Sequence, residues 1–376
     1  MATDGSTRID APQQNIASDA RFGRSVHITC RTLRIDAGVA IDDGVVIEGG
    51  DVWLEAGSRI GAGTRVAAAR FQLGYRARID GDCKLGALSG QADEVRFGDH
   101  ALLGGSSVAL VPVLLVGDYT KIHNHALING FKPCYVGHNS WVGQNCVLNA
   151  NDTLFIGNNV GIGTYSSVWT HAFFGQMIEG FTVNNTAPVV IEDDAWLVGA
   201  YNVVSPGLSI GARAMVLTSS VVSKSVAPEH TVGGAPARDM TERLPPVRPV
   251  SLAEKLAMMR GFIDEFVQQV YPQHHARLPL GYRVTPARGE PFSVCSCERL
   301  ADGDVDDGLA LAYALSDART REQPRATFFD LATKRYTKRR TDPEIQIIAF
   351  MNTYRARFVP VGQERVGVIP ELPPRA

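Results

Sequence analysis

No hydrophobic run in this sequence is long enough to cross a bilayer as a helix; the longest, Val108–Val116, is interrupted by Pro112. Residues 1–20 also lack the basic start and apolar stretch of a signal peptide, so neither secretion nor an integral membrane segment is expected. Cysteine is sparse. The six residues Cys30, Cys83, Cys134, Cys146, Cys295 and Cys297 show no paired C-x-x-C spacing and no dense framework. That excludes a zinc ribbon and a disulfide-stapled domain, and a cytoplasmic location fits best. Net charge is small as well, at −2, so no global field draws the chain to nucleic acid, and no nucleic-acid partner is expected.

Glycine and branched aliphatic residues are abundant, and their spacing is the main signal. Ile35, Ile41 and Ile47 form one series, Leu54, Ile60 and Val66 another, and Leu73, Ile79 and Leu85 a third. The pattern resumes at Val116, Ile122 and Ile128, then Val136, Val142 and Leu148, then Ile156, Ile162 and Val168, and ends with Val198, Val204, Ile210, Val216 and Val222. A helix would place apolar residues three and four apart, and an amphipathic strand would alternate by two. A period of six fits neither. It fits a parallel β-helix in which each face of a triangular prism supplies one inward residue and small residues allow each corner.

The predicted fold is mainly β: a left-handed parallel β-helix followed by a helix and a small α+β domain. Residues 1–25 read as a flexible N-terminal segment, 26–240 as the β-helix, 241–250 as a Pro-rich linker, and 251–376 as the C-terminal domain. Slips in the period at Ala67–Gln72, Ser89–Val95 and Gly104–Leu115 read as loops. The longest interruption follows His171 and runs to Val189; long excursions from a regular scaffold tend to carry function.

From Val136 to Arg238 the chain resembles the hexapeptide-repeat acyltransferases, a group that includes galactoside, maltose, virginiamycin and polysaccharide O-acetyltransferases. IGNNVGIGTYSSVWTH (156–171) is similar to the family stretch that ends in its catalytic histidine. The segment 188–238, closing in G-x-P-A-R at Gly234–Arg238, is similar to the final coils beside the coenzyme A tunnel. The resemblance implies acetyl-CoA as acyl donor, His171 as general base and a homotrimer whose tunnels lie between prisms. It also implies a small-molecule or glycan acceptor, with transfer to a sugar hydroxyl during polysaccharide or related biosynthesis. An amino-sugar nitrogen as the acceptor is the alternative. An imidazole suits the task because its ordinary pKa near 6.5 leaves it mostly neutral at physiological pH.

Coil arithmetic places His171 near Asn151, and Asn149, Asn151 and Asp152 resemble the family's acceptor-binding segment. Their other reading is a polar ladder or corner cap. Gly199, Ala200, Ser219, Ser220, Lys224 and Arg238 match positions that line the donor in the family. The spacing from Ile191 to Val198 is seven rather than six, as if Leu197 or Val198 were inserted, which predicts a bulge beside the tunnel.

Two rivals from other classes stand beside this reading. A γ-carbonic-anhydrase-like zinc protein shares the fold, but His100, His123, His125, His138 and His171 lack the five-residue ligand spacing of that branch, and no metal is expected. A non-catalytic β-helix scaffold would need neither His171 nor the G-x-P-A-R ending.

After Arg238 the period stops. Ser251 and Glu254 form a capping box ahead of an apolar stripe, Leu252 to Val270, that Pro272 ends. Beyond it the sequence predicts a strand at Phe292–Val294, a helix near Leu309–Leu315, a hairpin around Thr327–Tyr336 and a helix capped by Thr341 and Glu344. Lys334, Arg335, Lys338, Arg339 and Arg340 form a basic cluster whose simplest role is a solvated face.

Overall fold

The computed structural model describes residues 6–173, 175–298, 309–314 and 325–372. The chain divides into two compact units, residues 1–247 with 365–376, and residues 248–364.

The first unit is the left-handed parallel β-helix that the repeat predicts. Its strands stack in register on three faces. On the first face the inward residues run Ile9, Ile28, Ile47, Val66, Leu85, Ala109, Ile128, Leu148, Val168, Val204 and Val222. Ile35, Leu54, Leu73, Phe97, Val116, Val136, Ile156, Ile191 and Ile210 do the same on the second face, and Ile41, Ile60, Ile79, Leu103, Ile122, Val142, Ile162, Leu197 and Val216 on the third. These columns merge into one apolar core. Each fully buried aliphatic side chain contributes ~1.5–3 kcal/mol by leaving water, so coil after coil the column stabilises its own stacking.

Four sequence expectations are corrected. The prism begins at Arg8–Asp10 rather than Val26: residues 8–22 are strands of a first coil, with Arg8 N–H donating to Val26 O at 2.8 Å and Arg21 N–H to Val39 O at 2.9 Å, so residues 8–22 of the expected flexible 1–25 segment are ordered. The slips in the period are not mainly loops. Arg65–Leu73 is one continuous strand that turns a corner, and Ala92–Phe97, Val108–Leu110 and Val113–Val116 are ordinary ladder strands; the extra residues lie at corners. Leu197, not Val198, is the inward residue paired with Ile162, and the predicted bulge falls just after it, where Thr164 pairs with Ala200.

The fourth correction lies in the second unit. Leu309–Ala314 is a strand, not a helix, and Leu315 lies outside the described residues. It sits between parallel Phe292–Cys297 and Ala326–Asp330, and Ala310 to Ala314 are all buried. Burial on both faces of a central parallel strand overrides the helix preference of alternating Leu and Ala. Among the described residues of this unit, these three strands belong to a seven-stranded sheet, accompanied by two helices, α1 (Leu252–Val270) and α2 (Asp342–Thr353). Both helices start at the expected caps: Ser251 Oγ accepts from Glu254 N–H in a complete capping box, and Thr341 Oγ1 accepts from Glu344 N–H. Glu344 is buried, and desolvation pushes its carboxyl above the ordinary range while Thr327 and two backbone N–H groups hold it.

Polar side chains organise the corner between the second and third faces. Asp118 Oδ1 accepts from Asp99 N–H at 2.8 Å, His138 Nδ1 from Asp118 N–H at 2.9 Å, Asn158 Oδ1 from His138 N–H at 2.8 Å, and Asp193 Oδ1 from Asn158 N–H at 2.7 Å. Each accepting side chain thus satisfies a backbone donor one coil below it. The preceding residue is glycine where coils approach most closely. A Cβ at Gly157 would lie 2.4 Å from Asp193 Oδ1.

Candidate active site

His171 opens the one long excursion of the prism, leaving the first face just after Val168 and pairing antiparallel with the returning strand, so that His171 faces Thr186 in the register. It is half-buried. Its Nδ1 lies 2.8 Å from Asn149 Oδ1 on the preceding coil. Asn149 is itself almost fully buried and fixed on both sides: its Nδ2 donates to Asn129 O at 3.3 Å, and Thr170 N–H donates to its Oδ1 at 3.4 Å. An amide oxygen only accepts, so this geometry assigns the imidazole proton to Nδ1 and leaves Nε2 as the free basic nitrogen. Buried Thr170 completes the cluster. Its Oγ1 lies 3.0 Å from Asn149 Oδ1 and accepts from Asp152 N–H at 3.0 Å.

The structure therefore brings Asn149, rather than Asn151, against His171. Asn151 N–H turns back to Asn149 Oδ1 at 3.4 Å, and Asp152 Oδ1 accepts from Thr153 N–H at 2.6 Å; neither side chain is hydrogen-bonded to the imidazole. Asn129 and Thr170 escaped the sequence reading. The signal was present in part, because Asn129 and Asn149 occupy the same register one coil apart. Trp169 and Phe173 were missed too: their rings stand 5.6 and 5.4 Å from that of His171 and give the site aromatic walls.

The residues matched to the donor side fall at two different corners. Gly199, Ala200 and Ser219 stack at the corner between the third and first faces, where Gly234–Arg238 also turns. There Ala200 N–H donates to Thr218 Oγ1 at 3.2 Å, and Ser219 N–H to Ala200 O at 2.8 Å. Gly199 is required there: its φ is +74°, and a Cβ would meet Thr218 Oγ1 at 2.5 Å. Ser220 is inward-turned; its buried hydroxyl donates to Leu217 O and accepts from Gly234 N–H at 3.1 Å. Arg238 is exposed beside this corner. Lys224 is exposed as well, but it follows Val221–Val222 and so stands on the His171 edge instead. Tyr165 and Tyr201, also unforeseen, are stacked 5.2 Å apart and exposed on the Gly199 edge.

Between the two edges lies the first face, and its outward ladder is apolar over much of its length: Val108, Leu127, Val147, Ser167, Val203 and Val221. Leu127 is 37% exposed and Val221 36%. Among the described residues no group of three or more His, Cys, Asp or Glu is placed to hold a metal ion. His138 serves the corner ladder, His100 stacks on Tyr119 at 4.9 Å, and His123 packs against Trp141 at 5.3 Å.

Short parallel strands that recur about every six residues and stack coil on coil define the hexapeptide-repeat β-helix fold. The chain is 26% identical over 110 residues to galactoside O-acetyltransferase of Escherichia coli (strain K12), a match that covers 29% of this chain and 53% of that one. It is also 26% identical over 147 residues to chloramphenicol acetyltransferase of Agrobacterium fabrum, covering 35% and 68% respectively. The chain thus spans about half the length of the first of these curated relatives. Among solved structures it is similar to a hexapeptide-repeat acetyltransferase of Vibrio cholerae complexed with acetyl coenzyme A, at 28% identity over 37% of this chain and 68% of that one, with a TM-score of 0.27. No protein-family model matches the chain. In its repeat and in these relatives the chain is similar to the hexapeptide-repeat acetyltransferases. No helix among the described residues is long and apolar enough to cross a membrane.

Proposed function

We propose that this chain is an acyltransferase that moves an acetyl group from acetyl-CoA to a sugar hydroxyl, with Nε2 of His171 as general base. The observation that carries the reading is the bond from His171 Nδ1 to the buried Asn149 Oδ1, because it fixes the tautomer that leaves Nε2 able to accept a proton. In the reaction the acceptor hydroxyl gives its proton to Nε2 as its oxygen bonds to the thioester carbonyl carbon. The carbon–sulfur bond breaks, and the departing thiolate takes the proton from Nε2. No covalent enzyme intermediate is needed.

Asn149 positions the base in this scheme, and Trp169 and Phe173 offer faces on which a sugar ring stacks. Asn151 and Asp152, both half-buried, stay as acceptor-side residues. On the donor side, Gly199, Ala200, Ser219 and Arg238 line one wall; Lys224 on the His171 edge supplies a cation for a phosphate, and Ser220 acts by holding the corner.

The split between edges supports a homotrimer. In one chain the segment from Tyr165 to His171 separates the two, at most about 20 Å of extended backbone, and the apolar first face lies between them. A second copy seated on that face brings its Gly199 edge toward the His171 edge of the first, and a threefold closure repeats the arrangement. Incubating the protein with acetyl-CoA and a panel of sugars, amino sugars and nucleotide-sugars while following free thiol tests the reading. Acetylation of a hydroxyl supports it; exclusive transfer to amines replaces the sugar-hydroxyl acceptor; no thiol release with any acceptor defeats it.

A further inference from the structure

The second unit contains a pocket that acyl transfer at His171 leaves unused. It has a volume of about 240 Å3 and is lined by Arg260, Ile263 and Asp264 of α1, by Arg277 and Leu280 of the following hairpin, and by Ser296 of the strand Phe292–Cys297, among others. Helical spacing sets the first three on one face of α1. Asp264 Oδ1 is already engaged, accepting from Tyr282 Oη at 2.8 Å and from Arg277 Nη1 at 2.8 Å. The Arg277 guanidinium also lies 4.5 Å over the Tyr282 ring, which holds it at the rim.

The remaining groups are donors without acceptors. Arg260 has no carboxylate or hydrogen-bond partner among the described residues, and Ser296, only 4% exposed, has no partner for its hydroxyl there. The Ser296 backbone N–H is satisfied separately by Leu280 O at 2.9 Å. Two guanidinium groups against one carboxylate leave the pocket with an excess positive charge, and its unmet capacity is donating. The Ser296 hydroxyl and the exposed Arg260 guanidinium both border the pocket, where an acceptor-rich ligand engages them together.

We propose that this pocket binds a small metabolite of about monosaccharide size through an anionic group, a carboxylate or a phosphate, paired with Arg260 and Arg277 and hydrogen-bonded by Ser296. The volume lies below that of pockets for drug-sized ligands and suits a compact ligand. This is a second site, independent of the acyl-transfer reading.

Titration calorimetry of the full chain with glucose 1-phosphate, glucuronate and uncharged glucose tests it, with inorganic phosphate as the head group alone. We expect at least one of the two charged sugars to bind with an affinity that falls as salt rises, and glucose not to bind; whether the phosphate or the carboxylate is preferred identifies the head group. Arg260→Gln should weaken that binding by about tenfold or more. Ser296→Ala should weaken it severalfold, and His171→Ala should leave it unchanged. Absence of binding for both charged sugars at millimolar concentration overturns the proposal. So does equal binding by the native chain and both pocket variants, or loss of binding in His171→Ala.

Discussion

Asn149 Oδ1 and His171 Nδ1 meet at 2.8 Å across 22 residues of sequence, one coil of the prism apart. The contact decides which imidazole nitrogen carries the proton. Replacing His171 by Ala should lower kcat/KM for thiol release by about 10²–10⁴-fold. Asn149→Ala, which leaves the ring present but unaimed, should cost about 10²-fold. Asn149→Asp keeps an acceptor and adds a negative charge that favours imidazolium; it should move the acidic limb of the pH–rate profile to higher pH, because the base must be neutral to act. An unchanged profile in that variant would remove Asn149 as the positioning residue.

The outward ladder on the first face gives a separate test. Leu127→Glu places a charge in the middle of an apolar stripe without touching the core column, since Ile128 next to it is the inward residue. Light scattering should show three copies for the native chain and dissociation for the variant, with the far-ultraviolet spectrum retained and activity lost together with assembly. A monomeric native chain that is fully active would refute the shared site.

His138 is a corner acceptor in the structure, taking a hydrogen bond from Asp118 N–H. Its removal in His138→Ala leaves the Asp118 N–H buried and unpaired, and should destabilise the chain by about 1–3 kcal/mol in denaturant unfolding. His138→Asn should recover most of that loss, because Asn158 performs the same task one coil further on. Turnover by folded protein should change in neither.

Burial also silences the thiols of the prism. It pushes Cys134 up to about 12, and Cys83 and Cys146 up to about 11, since a thiolate in an apolar interior loses its hydration. At pH 8 these three should resist alkylation in the native protein and react fully once it is unfolded, as mass spectrometry of the labelled peptides would show. Rapid native labelling of any of them would contradict the packing of the core.

The period of six was enough to specify the prism and nearly all of its inward residues, because stacking identical strands turns a local spacing into a global repeat. Even the caps of α1 and α2 were readable, as capping is a matter of four consecutive residues. Where the reading failed, longer-range packing had overruled the local signal. Leu309–Ala314 has helical residues but is enclosed by strands on both sides, and Leu197 replaces Val198 because the neighbouring coil, not the spacing alone, sets where a bulge falls.

By itself, then, the sequence determined the repeat, the faces and the imidazole at the mouth of the longest excursion. Tertiary structure alone decided that Asn149 rather than Asn151 reaches this ring, and that Lys224 stands on a different edge from Gly199 and Arg238. The reason is geometric: periodicity assigns a residue to a face, but which side chains touch across coils depends on corner lengths and on hydrogen bonds between segments some twenty residues apart.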